Sequence, residues 1–102
     1  MTSEILEYLK EPWEYSQSPQ NELLEKELKR EVSSEHALFP HEVVAVARRN
    51  DMDDVLFWIS KLNCYAIVHL TWNVEDSPYF PKTSMFYSSD ELLKYLETTF
   101  FS

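Results

Sequence analysis

Cys64-Tyr65-Ala66-Ile67-Val68-His69-Leu70-Thr71-Trp72 is a run of β-branched and aromatic residues with one histidine inside it. Such a composition suits a pleated, half-buried surface, and the run reads as a strand. Alternation places Tyr65, Ile67, His69 and Thr71 on one face and Ala66, Val68, Leu70 and Trp72 on the other. Two similar runs precede it, His41–Arg49 and Val55–Ser60, separated by the short polar breaks Asn50–Asp54 and Lys61–Asn63. Asn and Asp tolerate positive φ better than other residues with a Cβ, so they are the natural turn formers here. Connections this short join antiparallel neighbours and predict a three-stranded meander. Ser84–Tyr87 adds a fourth, edge strand if it pairs.

The strands have no clean polar side. Val55, Phe57 and Ile59 oppose Leu56 and Trp58, just as the two apolar sets of 64–72 oppose each other. A sheet with two apolar faces needs cover on both. Helical spacing supplies it. Leu24, Leu28 and Val32 recur on one stripe between about 19 and 32, with Ser18 as N-cap, Pro19 in the first turn, and Lys26, Lys29 and Arg30 toward the C-terminus. Ser88 and Glu91 stand in capping-box spacing ahead of Leu92, Leu93, Leu96 and Phe100, predicting a helix over 89–100. A short helix at 3–10 and a polar loop at 12–19 carrying Trp13 and Tyr15 complete the chain. The expected fold is α+β, with a three- or four-stranded antiparallel sheet flanked by an N-terminal and a C-terminal helix. One helix on each face is the favoured arrangement. The alternative puts both on one face and leaves the other for a partner or a second subunit.

The 102 residues are expected to form a single domain, with 1–18 a loosely packed extension. Hydrophobic residues make up 44% and aromatic residues 15%, enough for a core. No apolar run approaches the roughly 20 residues of a membrane span, and the acidic start predicts no secretory signal. The single cysteine, Cys64, cannot pair within the chain, so a cytoplasmic location is expected. Net charge is −9, divided as −5 over residues 1–35, −1 over 36–74 and −3 over 75–102. Nucleic acid is disfavoured as a partner because binding it needs clustered Lys and Arg. Glycine is absent. Phosphate-cradling loops, dinucleotide fingerprints and the nucleophile elbow all require it, so those classes of chemistry drop out.

Few residues remain to carry a site. His69, in an apolar strand, offers a general base or ligand contact, with Thr71 and Asp54 as neighbours. His36, His41, His69 and Cys64 match no zinc spacing, and the Asp51, Asp53, Asp54 cluster lacks the glycine of a calcium loop. No metal or cofactor is expected. Arg48 and Arg49 are expected to pair across the acidic hairpin, and Cys64 is expected to be inert. Trp13, Tyr15, Tyr79 and Phe80 lie in segments beside prolines, where an aromatic hot spot is reasonable.

The runs His36-Ala-Leu-Phe39, Val46-Ala-Arg-Arg49, Asp53-Asp-Val-Leu-Phe57, Ala66-Ile-Val-His-Leu-Thr-Trp72 and Pro81-Lys-Thr83 resemble a small bacterial protein family with a DDVLF…AIVHLTW core pattern. The resemblance covers about residues 25–97. It implies a bacterial, stand-alone cytosolic domain and supplies no activity, but marks Asp53, Asp54, His69, Thr71 and Trp72 as the positions to test first.

The leading expectation is a non-enzymatic protein-binding module, immunity-like or antitoxin-like, that meets a basic partner through Asp53, Asp54, His69, Thr71, Trp72, Trp13 and Tyr79. A small-molecule-binding or hydrolase-like protein centred on His69 is the second reading. A homodimer that uses the uncovered sheet face is the third.

Overall fold

A computed structural model of the chain describes residues 3–100. Five antiparallel strands form one sheet in the order β1-β2-β3-β4-β5: β1 Trp13–Tyr15, β2 Val44–Arg49, β3 Asp54–Ile59, β4 Cys64–His69 and β5 Lys82–Phe86. Three helices join them, α1 Ser3–Tyr8, α2 Gln20–Glu31 and α3 Ser89–Glu97. The architecture is α+β with an antiparallel sheet, as expected, but the strand count is a correction. Ser84–Phe86 of the expected edge strand do belong to a strand, now Lys82–Phe86, which pairs with β4 from Tyr65↔Phe86 to His69↔Lys82, while Tyr87 lies beyond its end. The fifth strand is Trp13–Tyr15, expected as loop, which pairs with Ala47–Arg49 at the other edge.

Each sheet face has its own cover. Leu24, Leu28 and Val32 of α2 and its C-cap pack on Ala45, Val55, Phe57, Ile59, Ala66 and Val68. On the opposite face Ile5 of α1 and Leu92 and Leu96 of α3 pack on Val46, Ala47, Leu56, Tyr65 and Ile67. Each such side chain removed from water contributes about 1.5–3 kcal/mol. This is the expected helix–sheet–helix arrangement. The expected loose extension is also packed where it is described: Ile5 is 0% and Trp13 3% exposed. Residues 1 and 2 lie outside the described part.

Local chemistry explains the joints. Val46 forms a bulge, since Ala45 pairs with Phe57 and Ala47 with Leu56, and this lets Val46 and Ala47 both reach the α3 side. Asn63 takes the left-handed conformation, φ 51°, that closes the Ser60–Leu62 3-10 turn into β4. The hydroxyl of Ser88 accepts the Glu91 N–H at 3.2 Å, the expected cap of α3. In α2 the N-cap is Pro19 rather than Ser18, without a side-chain cap; the Ser18 hydroxyl lies near Glu22 Oε1 instead. Among the described residues no helix is long and apolar enough to cross a membrane.

Candidate functional site

The end of the sheet where β4 stops gathers most of the expected site residues. Asp54 begins β3 directly opposite His69, which ends β4, and His69 is in turn opposite Lys82 of β5. Odd and even positions put these three side chains in one row on the α3 face. The His69 Nδ1 lies 2.7 Å from Asp54 Oδ1. Asp54 is 9% exposed, whereas the His69 side chain is 52% exposed. His69 is thus not sealed in the apolar interior, as its sequence neighbours suggest. α3 covers Leu56 and Ile67 but leaves this last row open to a groove of about 400 Å³, lined also by Ser84, Tyr79 and Tyr95. An Asp–His pair of this geometry fixes the ring and leaves Nε2 facing solvent, the form a proton donor or acceptor needs.

Asp53 and Thr71 are not part of that groove. Asp53 is exposed in the hairpin turn, and its carbonyl accepts the Leu70 N–H at 3.0 Å. Thr71 and Trp72 instead turn toward α2. The Glu31 carboxyl group, 0% exposed, accepts the N–H of Thr71 at 2.8 Å and the N–H of Trp72 at 2.8 Å. Its backbone carbonyl accepts the Glu75 N–H at 2.9 Å. The Thr71 hydroxyl lies 3.1 Å from Glu31 Oε1 and 2.8 Å from Glu75 Oε2. Burial and a shared hydrogen bond with Glu27 push Glu31 up to about 7, against the pull of the Thr71 and Trp72 donors. Glu27 is held below the usual carboxylate range, chiefly by its bidentate pairing with Arg30.

This clamp fixes the start of the 70–81 connection in an unusual shape. Trp72 has a φ of 60°, a left-handed conformation that a bulky side chain adopts at a cost of roughly 1–2 kcal/mol. Trp72 is 51% exposed, and Val74, Tyr79 and Phe80 are 70%, 79% and 41% exposed. Glu75 and Asp76 lie among them. The far end of the connection is pinned by His36, which is 4% exposed. Its Nδ1 accepts the Leu38 N–H at 3.0 Å, so the proton sits on Nε2 and is donated to the Pro81 carbonyl at 2.9 Å.

Trp13 is a correction: it is buried in β1, its indole N–H donating to Thr99 Oγ1 at 2.7 Å, so it presents no loop hot spot. Arg49 pairs with Asp51 through Nε–Oδ1 and Nη2–Oδ2 at 2.9 and 2.8 Å, holding the Asp51 carboxyl below its ordinary value. Burial pushes the Cys64 thiol up. Among the described residues no three His, Cys, Asp or Glu side chains gather around a metal position. Glu31, buried and bonded to both backbone donors, was not among the expected site residues. Its signal was there: residues 24, 28 and 31 share one helical stripe, and the third is an acid. Comparison with known proteins finds no family, curated relative or solved structure that matches the chain.

Proposed function

We propose that the chain is a protein-binding module that holds a basic partner through the acidic and aromatic connection between β4 and β5. The observation that carries the reading is Trp72: a buried carboxyl group holds its backbone in a left-handed conformation while the residue stays half exposed. Strain of this kind persists where surrounding structure imposes it, and it marks functional positions. An exposed tryptophan and tyrosine on a preorganised loop are the residue types that dominate interface energies. Glu75, Asp76 and the net charge of −9 select a basic surface and speed its encounter. Masking a basic protein in this way is an immunity-like or antitoxin-like role.

The test is affinity capture from the organism that encodes the chain, in parallel with a Trp72→Ala, Tyr79→Ala double variant. A basic protein retained by the first and lost by the second is the expected result. No enriched basic protein, or capture indifferent to both substitutions, overturns the proposal.

The Asp54–His69 pair favours a second reading, in which the groove binds a small polar molecule and His69 Nε2 exchanges a proton with it. Chemical-shift screening with small carboxylic acids, alcohols and phenols tests this. The reading fails if no compound moves the His69, Lys82 and Ser84 resonances.

A further inference from the structure

The α3 face of the sheet has a second open end, opposite the Asp54–His69 row. Trp58, Tyr65 and Phe86 are direct cross-strand partners there, on β3, β4 and β5. The Trp58 and Tyr65 ring centroids lie 4.8 Å apart at 59°. Tyr65 and His69 are four positions apart on β4, about 13 Å along the strand, so the two ends are separate sites. These three rings, with Tyr87, Asn63, Ser88 and Ser89, line a half-open cavity of about 210 Å³. That is smaller than the roughly 300–1,000 Å³ of pockets for drug-sized ligands, and suits one head group or one side-chain tip.

Two properties of the cavity define its occupant. Tyr65 is 3% exposed, and its hydroxyl has no hydrogen-bond partner among the described residues. A buried hydroxyl in that condition gains from any polar group brought within reach of it. The charge balance decides the sign. Among the described residues no charged side chain lines the cavity, and the charged residues nearest to its lining in sequence are Lys61, Asp90 and Glu91. The Tyr87 N–H donates to Glu91 Oε2 at 3.3 Å, which holds a carboxylate against the Tyr87 backbone. The N-terminus of α3 borders the cavity too. However, Asp90 and Glu91 already occupy its first turn, and their charge repels a second anion. Aromatic ring faces are electronegative and attract cations within about 6 Å of the centroid.

We propose that this cavity binds an organic cation, a guanidinium or alkylammonium head group, lying against Trp58 and Tyr87. A guanidinium also donates one N–H to the Tyr65 hydroxyl. The inference is independent of the 70–81 connection, which starts from the opposite end of β4.

Arginine amide and tetramethylammonium, each as the chloride, are titrated into ¹⁵N-labelled protein, with sodium acetate as the anion control. Both cations are expected to move the amides of Trp58, Tyr65, Tyr87 and Ser88, and acetate is not. Tyr87→Ala, at a residue 66% exposed and so dispensable for folding, weakens both cations at least fivefold. Tyr65→Phe weakens arginine amide severalfold and leaves tetramethylammonium, which has no N–H, unchanged. A blocked Gly-Arg-Gly peptide that binds tighter than arginine amide assigns the head group to a protein side chain; equal or weaker binding assigns it to a free small molecule. Either order supports the site. Silence of both cations at these amides, acetate moving them instead, or affinities untouched by Tyr87→Ala overturns it.

Discussion

Glu31 and Trp72 are joined by a 2.8 Å hydrogen bond from the Trp72 backbone N–H to Glu31 Oε2. The two residues are 41 positions apart, and the acceptor is wholly buried. Because the same carboxyl group also accepts the Thr71 N–H, α2 holds both backbone donors that follow Leu70. The left-handed turn at Trp72 is therefore imposed from across the α2 face of the sheet.

Removing that acceptor strands two N–H groups. Glu31→Ala is expected to lower unfolding stability by about 2–4 kcal/mol, read from the midpoint of urea denaturation. Glu31→Gln keeps one acceptor but sets an NH₂ group against one of the two donors, and is expected to fall between the wild type and the alanine variant. An alanine variant within about 0.5 kcal/mol of wild type shows that the clamp contributes nothing.

The same residue predicts a pH dependence. Glu31 titrates near 4.5 when unfolded and near 7 when folded, so the folded chain binds the proton more tightly. Its contribution to stability is fully present below pH 4.5, falls as pH rises, and is gone above about 7. The shift corresponds to about 3 kcal/mol as an upper bound. The opposite shift at Glu27 acts below pH 4.5, outside this window. Subtracting the pH profile of Glu31→Gln from that of wild type removes the carboxyl groups that do not interact with Glu31; Glu27, which does, acts below pH 4.5. The difference is expected to fall between pH 4.5 and 7 and to be level above; a flat difference throughout rejects the assignment.

What was legible in the sequence was what repeats locally. Leu24, Leu28 and Val32 show a helix, and the alternation in 54–59 and 64–69 shows strands, because periodicity is written in neighbouring positions. The hairpin breaks set the antiparallel order. β1 was not legible, since Trp13-Glu14-Tyr15 is too short to display a period and becomes a strand only because β2 offers it an edge. Nor was the exposure of His69. Its face follows from alternation, but where α3 ceases to cover that face depends on tertiary placement. Glu31 looked like one more helix charge because its partners lie in the loop beyond β4.

Strain at Trp72 separates its structural and functional roles. Glycine adopts a φ of 60° without a steric penalty, and alanine does not. Trp72→Gly is therefore expected to be more stable than Trp72→Ala by about 1 kcal/mol. Both are expected to lose the partner captured by wild type. Equal stability of the two variants means that the left-handed backbone at 72 is not populated in solution.

Two of the three histidines, His36 and His69, differ in access, which chemical modification reads directly. His69 presents a free Nε2 on a half-exposed ring, while both His36 nitrogens are engaged and its ring is buried. Diethyl pyrocarbonate is expected to modify His69 well before His36, as followed by peptide mass spectrometry. His69→Ala is expected to change stability by no more than about 1 kcal/mol, as a partly exposed pair allows. His36→Ala, which orphans the Leu38 N–H and the Pro81 carbonyl, is expected to lower it by about 2–3 kcal/mol. Modification of His36 first contradicts the placement of both rings.

The Trp13 indole N–H and the Thr99 hydroxyl, 2.7 Å apart, tie the first strand to the turn that follows α3. Trp13→Phe keeps most of the buried ring and removes the donor; Thr99→Val keeps the shape and removes the acceptor. Each alone leaves the other polar group without its partner and is expected to lower stability by about 1–2 kcal/mol. Together they are expected to be less harmful than the sum of the two, with a coupling of about 1 kcal/mol in a double-mutant cycle. Trp13→Ala also empties the space of the ring, and is expected to lower stability by about 3–5 kcal/mol. Additive single substitutions and a mild alanine variant return Trp13 to the surface, where it joins Trp72 and Tyr79 as a residue open to a partner.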